Sequence, residues 1–249
     1  MSTSNTGRWA ATTNMNIALH TLMIAIDAPA DGPRMVILFG KSGYGKSVAV
    51  AWAAIRENAV YLRIEELWTR KTLLLELAAE LGIARPKKTQ MEIYKQVKDA
   101  LIATPQPLIF DEMDYLVERG AVNVIRDLAD ATGVPIMMVG EEGMPARLKQ
   151  WERFDNRIIA TVQAMPCSNA DGLLLRNLYS GKVRIADDLV SHFVAQCKGV
   201  TRRVVTNIHA AARIAVDDLG AFDIDLSAWG NRPVNNGAPP RLHKFGGAI

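Results

Sequence analysis

Residues 35–47 read Met-Val-Ile-Leu-Phe-Gly-Lys-Ser-Gly-Tyr-Gly-Lys-Ser, an apolar stretch that runs straight into the pattern G-x-x-x-x-G-K-S. Such a segment is committed to a strand, a tight glycine-rich bend and a helix, with successive backbone N–H groups turned into one concavity. The helix that starts near Lys46 brings its positive end to the same place, so the concavity suits a polyphosphate. Gly40, Lys41, Ser42, Gly43, Tyr44, Gly45, Lys46 and Ser47 form this cradle. Lys46 is expected to reach the β- and γ-phosphates of ATP as a point charge, and the Ser47 hydroxyl to hold the Mg2+ that bridges them.

Hydrolysis asks for a second element, a metal-holding acid and a base for water. Pro107-Leu108-Ile109-Phe110-Asp111-Glu112 is an apolar buried-strand run ending in two carboxylates, the form of a Walker B strand. Asp111 is predicted to hold Mg2+ through water, and Glu112 to polarise the attacking water.

A chain of 249 residues with 49% apolar and 22% charged residues has room for one sizeable α/β domain and a small appendage. No apolar run approaches bilayer length, and the N-terminal residues lack the charged and apolar blocks of a secretion signal, so a cytoplasmic location is expected. Cys167 and Cys197 show no C-x-x-C pairing and read as small apolar fillers. The formal net charge of +3 is matched by the C-terminal residues alone, where Arg232, Arg241 and Lys244 have no acidic neighbour.

Helical spacing over Asn14–Ile26 is broken by Ala28-Pro29-Ala30-Asp31-Gly32-Pro33 before the first strand. Further strands are predicted at Ala59–Ile64, around Leu108–Phe110, at Val134–Gly140 and at Arg157–Val162. Helices fall at Thr72–Leu81, Met91–Ala103 and Val122–Thr132. Five apolar strands joined by helical crossovers imply an α/β fold with a parallel sheet covered on both faces. From Ser168 the pattern reads as helices alone, Asp171–Tyr179, Ala186–Cys197 and Thr201–Leu219. The expected organisation is an N-terminal helix and linker over 1–34, an α/β core over 35–166, an all-helical lid over 167–220 and a flexible basic tail over 221–249.

An α/β core followed by a small helical lid, with Gly199-Val200-Thr201-Arg202-Arg203 opening a lid helix, resembles the AAA+ ATPases. That resemblance assigns Arg202 the place of the sensor 2 arginine, which contacts the γ-phosphate from the lid. It also makes Arg153 and Arg157, ahead of the last strand, candidates for the arginine that reaches a neighbouring subunit's nucleotide. One departure stands out: the sensor 1 position at the end of Ile136–Val139 normally carries a neutral polar residue, whereas here Gly140 is followed by Glu141 and Glu142. A second carboxylate near the γ-phosphate repels it unless paired, which points to slow basal turnover.

The layout from Gly-Lys-Ser-Gly-Tyr-Gly-Lys-Ser through Leu-Ile-Phe-Asp-Glu-Met-Asp to Val-Gly-Glu-Glu-Gly and Phe-Asp-Asn-Arg-Ile is similar to ATPases of the phage Mu B and TnsC transposition-regulator type. The resemblance implies an ATPase that binds duplex DNA without reading its sequence, assembles as a ring or helical filament, and recruits a transposase. Such binding needs cations facing phosphates. Thr69, Arg70 and Lys71 at a helix start are the first candidates, and Lys87 and Lys88 the next. A helicase loader or replication ATPase is the nearest alternative, and a secretion-associated ATPase that binds no nucleic acid the next.

Overall fold

The computed structural model describes residues 9–237. They divide into an α/β unit, residues 11–165, and a unit that starts at Pro166 and also takes in Ala10.

In the α/β unit the order is α1 (Thr13–Ile26), β1 (Met35–Phe39), α2 (Lys46–Arg56), β2 (Val60–Arg63), α3 (Arg70–Glu80), α4 (Gln90–Ala103), β3 (Leu108–Asp111), α5 (Asp114–Glu118), α6 (Asn123–Thr132), β4 (Ile136–Gly140), α7 (Met144–Leu148), α8 (Glu152–Asp155) and β5 (Ile158–Gln163). The five strands lie parallel in the order β2-β3-β4-β1-β5. Strands β3 and β4 are buried at every residue and β1 at all but its last, the signature of a sheet covered on both faces. The edge strand β5 instead alternates half-buried and exposed residues, so its pattern has a period of two.

The predicted strands and longer helices appear within a few residues of their expected bounds. Their ends follow from local chemistry. Thr69 caps α3 by accepting a hydrogen bond from the Thr72 N–H at 3.1 Å, and Thr89 with Glu92 closes a capping box on α4. The single-turn helices α5, α7 and α8 were not foreseen.

Helix α1 packs on α2 and β1 and is part of the α/β unit, a correction to the expected separate N-terminal segment. The reason lies in buried polar anchors. Arg34 donates to the Ala25 carbonyl at 3.1 Å and to the Gly133 carbonyl at 3.0 Å, closing the end of α1 onto the sheet. Asn14, 6% exposed, donates from Nδ2 to the carbonyls of Tyr44 and Met165, both at 2.8 Å, and accepts from the Met165 N–H at 2.8 Å.

The second unit contains α9 (Asn169–Tyr179), β6 (Arg184–Ile185), α10 (Asp187–Gln196), α11 (Thr201–Asp217), β7 (Asp223–Ile224) and α12 (Leu226–Trp229). It is therefore not purely helical: β6 and β7 pair in parallel, Arg184 opposite Asp223 and Ile185 opposite Ile224. Two residues per strand are too few to leave a periodic signal in the sequence.

The expected flexible tail from residue 221 is also corrected as far as residue 237. Trp229, 1% exposed, stacks edge-on against Phe193 with centroids 5.0 Å apart. Beyond it, Asn207 accepts from the Asn235 N–H at 2.9 Å and donates to the Asn235 carbonyl at 3.1 Å, while Arg203 bonds the Asn236 carbonyl. Arg232 folds back onto the carbonyls of Ala228 and Trp229. Arg241 and Lys244 lie outside the described residues. Cys167 and Cys197 are buried in this unit, and burial pushes the Cys167 thiol up to about 12, with Asp171 adding to the shift. No helix among the described residues is long and apolar enough to cross a membrane.

Replacing Trp229 by alanine removes a buried aromatic plug and is expected to cost the second unit about 3–5 kcal/mol, read from its denaturant transition by circular dichroism. An unchanged transition would return residues 221–237 to the status of a loose tail.

A nucleotide site at the carboxyl ends of the strands

Strands β1 and β3 both deliver their last residues to the same end of the sheet, separated by β4. In open parallel sheets this carboxyl end is where ligands bind. The loop after β1 carries the whole predicted cradle. Gly43 and Gly45 have φ of 82° and 85°, values that place a side chain against its own backbone and leave glycine as the fitting residue. Gly45 then caps α2, whose first bond runs from the Ala49 N–H to the Gly45 carbonyl at 3.0 Å. Gly40 is buried and donates its N–H to the Gly140 carbonyl at 3.2 Å, so the loop begins against the end of β4. Lys41 and Ser42 are exposed at the tip, and Tyr44 and Ser47 are half-buried. Asn14 holds the loop from below through the Tyr44 carbonyl.

Lys46 lies within this loop. Its ammonium donates to the Gly40 carbonyl at 2.6 Å and to the Lys41 carbonyl at 3.0 Å. Burial lowers its pKa, and the charges of Glu112, Asp111, Glu141 and Asp114 oppose that shift. Four carboxylates thus act on the charge of the lysine assigned to the β- and γ-phosphates. A polyphosphate in the loop would bring its charge near these acids, where a divalent cation would offset the repulsion.

Asp111 ends β3, 1% exposed. Its Oδ1 accepts from the Glu112 N–H and its Oδ2 from the Tyr61 hydroxyl, each at 2.9 Å. Tyr61, on β2, was not foreseen as a site residue; burial first, then the Asp111 charge, raises its pKa well above the ordinary phenol value, so it remains a hydrogen-bond donor. Glu112 has φ of 56°, a left-handed conformation that costs a bulky residue about 1–2 kcal/mol and turns its carboxylate away from the strand direction. That carboxylate meets Arg63 of β2 at 3.3 Å. Both partners are partly exposed, so the pair orients Glu112 without contributing much to stability.

The family model for the AAA domain matches residues 30–148, which span the cradle and the acid-bearing strand. The arrangement is that of an ATP hydrolase, with the cradle after β1 and the acid pair at the end of β3, on either side of β4. The fold is similar to that of the ORC2 protein of Aeropyrum pernix, solved in ADPNP–ADP complexes, with a TM-score of 0.71 and 11% identity over 89% of this chain and 68% of that one. It is also similar to Cdc6p from Pyrobaculum aerophilum, with a TM-score of 0.63 and 15% identity over 89% of this chain and 66% of that one. The ORC1 protein of Aeropyrum pernix, solved in complex with DNA, gives a TM-score of 0.58 and 17% identity over 81% of this chain and 59% of that one. The chain therefore spans roughly two thirds of the length of these proteins, and at such identities the likeness concerns the fold. No curated protein sequence matches the chain.

The remaining predicted residues lie elsewhere. Arg157 stands at the entry to β5, level with Met35 at the start of β1 and so at the end of the sheet opposite the cradle. It is held by Asp130 in a two-pronged ion pair, Nε to Oδ1 at 2.6 Å and Nη2 to Oδ2 at 2.7 Å. Arg153, on α8, has an exposed side chain. Arg202 is exposed in the first turn of α11, in the second unit. Thr69 uses its hydroxyl to cap α3, Arg70 donates to the Gly120 carbonyl at 3.0 Å, and Lys71, Lys87 and Lys88 are exposed. Glu141 and Glu142 are exposed just past β4.

Changing Glu112 to glutamine keeps the side-chain volume and removes the carboxylate expected to act as base. Steady-state ATP turnover is expected to fall by about 100-fold or more, while ATP affinity measured by fluorescent-analogue titration stays near that of the parent. Retained turnover would remove Glu112 from the role of base.

Proposed function

We propose that this chain is an ATP-dependent DNA-handling ATPase that binds duplex DNA through its backbone, assembles with further copies of itself as a ring or helical filament, and presents that DNA to a transposase in the cytoplasm. The nucleotide end of this reading rests on the site described above. Ser47 and Asp111 offer the hard oxygen donors that Mg2+ takes while keeping most of its water shell, so they fit the ion as its protein ligands. Bound there, Mg2+ would neutralise charge on the β- and γ-phosphates.

The DNA end is carried by one observation. Arg70 donates to the Gly120 carbonyl at 3.0 Å, which ties the start of α3 to the segment after α5, where Arg119 is also exposed. Arg70, Lys71 and Arg119 are thus exposed cations on two segments tied together by this bond, the kind of charge that meets a phosphate backbone. Lys87 and Lys88, in the loop before α4, would extend the same backbone contact. Similarity to an ORC1 protein solved with DNA supports DNA binding and also favours a second reading, a helicase loader or replication ATPase. Partner capture separates the two: stimulation of strand transfer belongs to the first, and helicase loading to the second.

In the assembly we assign the arginine acting in trans to Arg153. Arg157 would first have to break its paired contact with Asp130, whereas Arg153, exposed on α8, has no ion pair among the described residues. Arg202 keeps the role of sensor 2 arginine that the resemblance assigns to it.

Electron microscopy with a non-hydrolysable ATP analogue is expected to show rings or filaments only when duplex DNA is also present. Removing the charges of Arg70 and Lys71 should weaken DNA binding alike on all sequences and reduce the log–log salt slope by about one per lost phosphate contact. A parent protein that ignores DNA at every salt concentration would point instead to the secretion-associated class. For the trans arginine, Arg153→Ala is expected to lower DNA-stimulated turnover by about 10³-fold or more, with Arg157→Ala far milder; the reverse order would exchange their roles.

A further inference from the structure

The acid after the Walker pair, Asp114, has no part in the scheme so far, yet it is the residue on which the two strand ends converge. The β3–β4 ladder ends at Phe110 opposite Met138. Past that point the strands are joined by the Met113 N–H donating to the Val139 carbonyl at 2.9 Å and by the Glu141 N–H donating to Asp114 Oδ2 at 2.7 Å. The side chain of Asp114, 8% exposed, therefore takes the place of a backbone acceptor once the sheet has ended.

Its other oxygen, Oδ1, pairs with Arg147 of α7, whose second terminal nitrogen reaches Glu118 at 3.3 Å. Arg147 Nε is buried with no partner, so these two acids hold the guanidinium. The fit leaves no room. A Cβ at Gly140 would meet Asp114 Oδ2 and Met144 Sδ so closely that both side chains would have to shift, which favours glycine at a strand end whose φ is not left-handed. Gly140 is also the residue whose carbonyl receives the Gly40 N–H at the start of the cradle. One carboxylate thus sits where the acid-bearing strand, the end of β4 and the phosphate loop meet, and the segment it grips carries Glu141, one of the acids whose charge Lys46 feels.

We propose that Asp114 is a positioning residue for ATP hydrolysis, fixing the Glu141 backbone so that the end of β4 stands at a set distance from Lys46 and the bound γ-phosphate. The inference rests on the ATP-hydrolase reading of the site. A carboxylate next to the γ-phosphate is repulsive where it is free to approach, and reaction geometry is sensitive to displacements of about 1 Å, which cost on the order of 100-fold. The clamp therefore acts on turnover and leaves the loop amides and Lys46, which bind nucleotide, in place.

The test uses the full chain and reads ATP turnover, nucleotide affinity by fluorescent-analogue titration, and thermal unfolding in parallel. Asp114→Ala is expected to lower kcat by about 10- to 100-fold with affinity within about threefold of the parent. Asp114→Asn retains an oxygen to accept from the Glu141 N–H and should recover kcat to within about fivefold, a rescue that a purely structural role through the Arg147 ion pair would not produce. Gly140→Ala, which keeps Asp114 but displaces its Oδ2, should reproduce the alanine defect. Unchanged kcat in Asp114→Ala, an equal loss of affinity and kcat, or no recovery in Asp114→Asn would each overturn the proposal, and the asparagine variant decides the matter where the alanine variant does not fold. A parent chain without ATP turnover is a different result: it removes the hydrolase reading itself.

Discussion

A half-buried lysine ammonium is costly unless opposite charge is at hand, and that requirement organises the α/β unit. Lys46 is the positive centre, and the acids that offset its burial come from the ends of two strands, Asp111, Glu112 and Asp114 after β3 and Glu141 after β4. They reach it because the sheet order sets β4 between β1 and β3, so the three carboxyl ends lie side by side. The same charge balance shapes the chemistry: a triphosphate adds negative charge to a site already rich in acids, which makes a divalent cation the natural third party.

What was legible in the sequence was whatever a continuous run of residues expresses. Ile136–Gly140 and Leu108–Asp111 are buried along their whole length, and that burial on both faces is written directly as unbroken apolar character. The cradle and the acid pair were legible for a related reason, since their chemistry needs fixed residue types at fixed offsets. Helices α5, α7 and α8 were not, because a single turn has too few residues to show a period and is set by what packs on it.

The parts of the site that went unread are those made by side chains meeting across the fold. Tyr61 on Asp111, Asn14 under the Tyr44 carbonyl and Asp114 over Gly140 join residues separated by tens of positions, and no local pattern announces such a meeting. Arg157 shows the opposite case. Its place before the last strand suggested an arginine held ready for a neighbour, whereas Asp130, at the end of α6, already occupies both prongs of its guanidinium. A signal for Asp114 did exist: four residues, Asp-Glu-Met-Asp, carry three acids where two suffice for metal and water.

The plug made by Trp229 also bears on how the molecule is made. Residues 11–165 are contiguous and contain every strand of the large sheet, so this unit has all its parts as soon as they leave the ribosome. The other unit waits: its aromatic centre lacks one half until residue 229 has been synthesised, and Asn207 lacks its backbone partner until residue 235. Synthesis thus imposes a timetable in which the nucleotide cradle is finished first and the last core to close is sealed by the residues that emerge late.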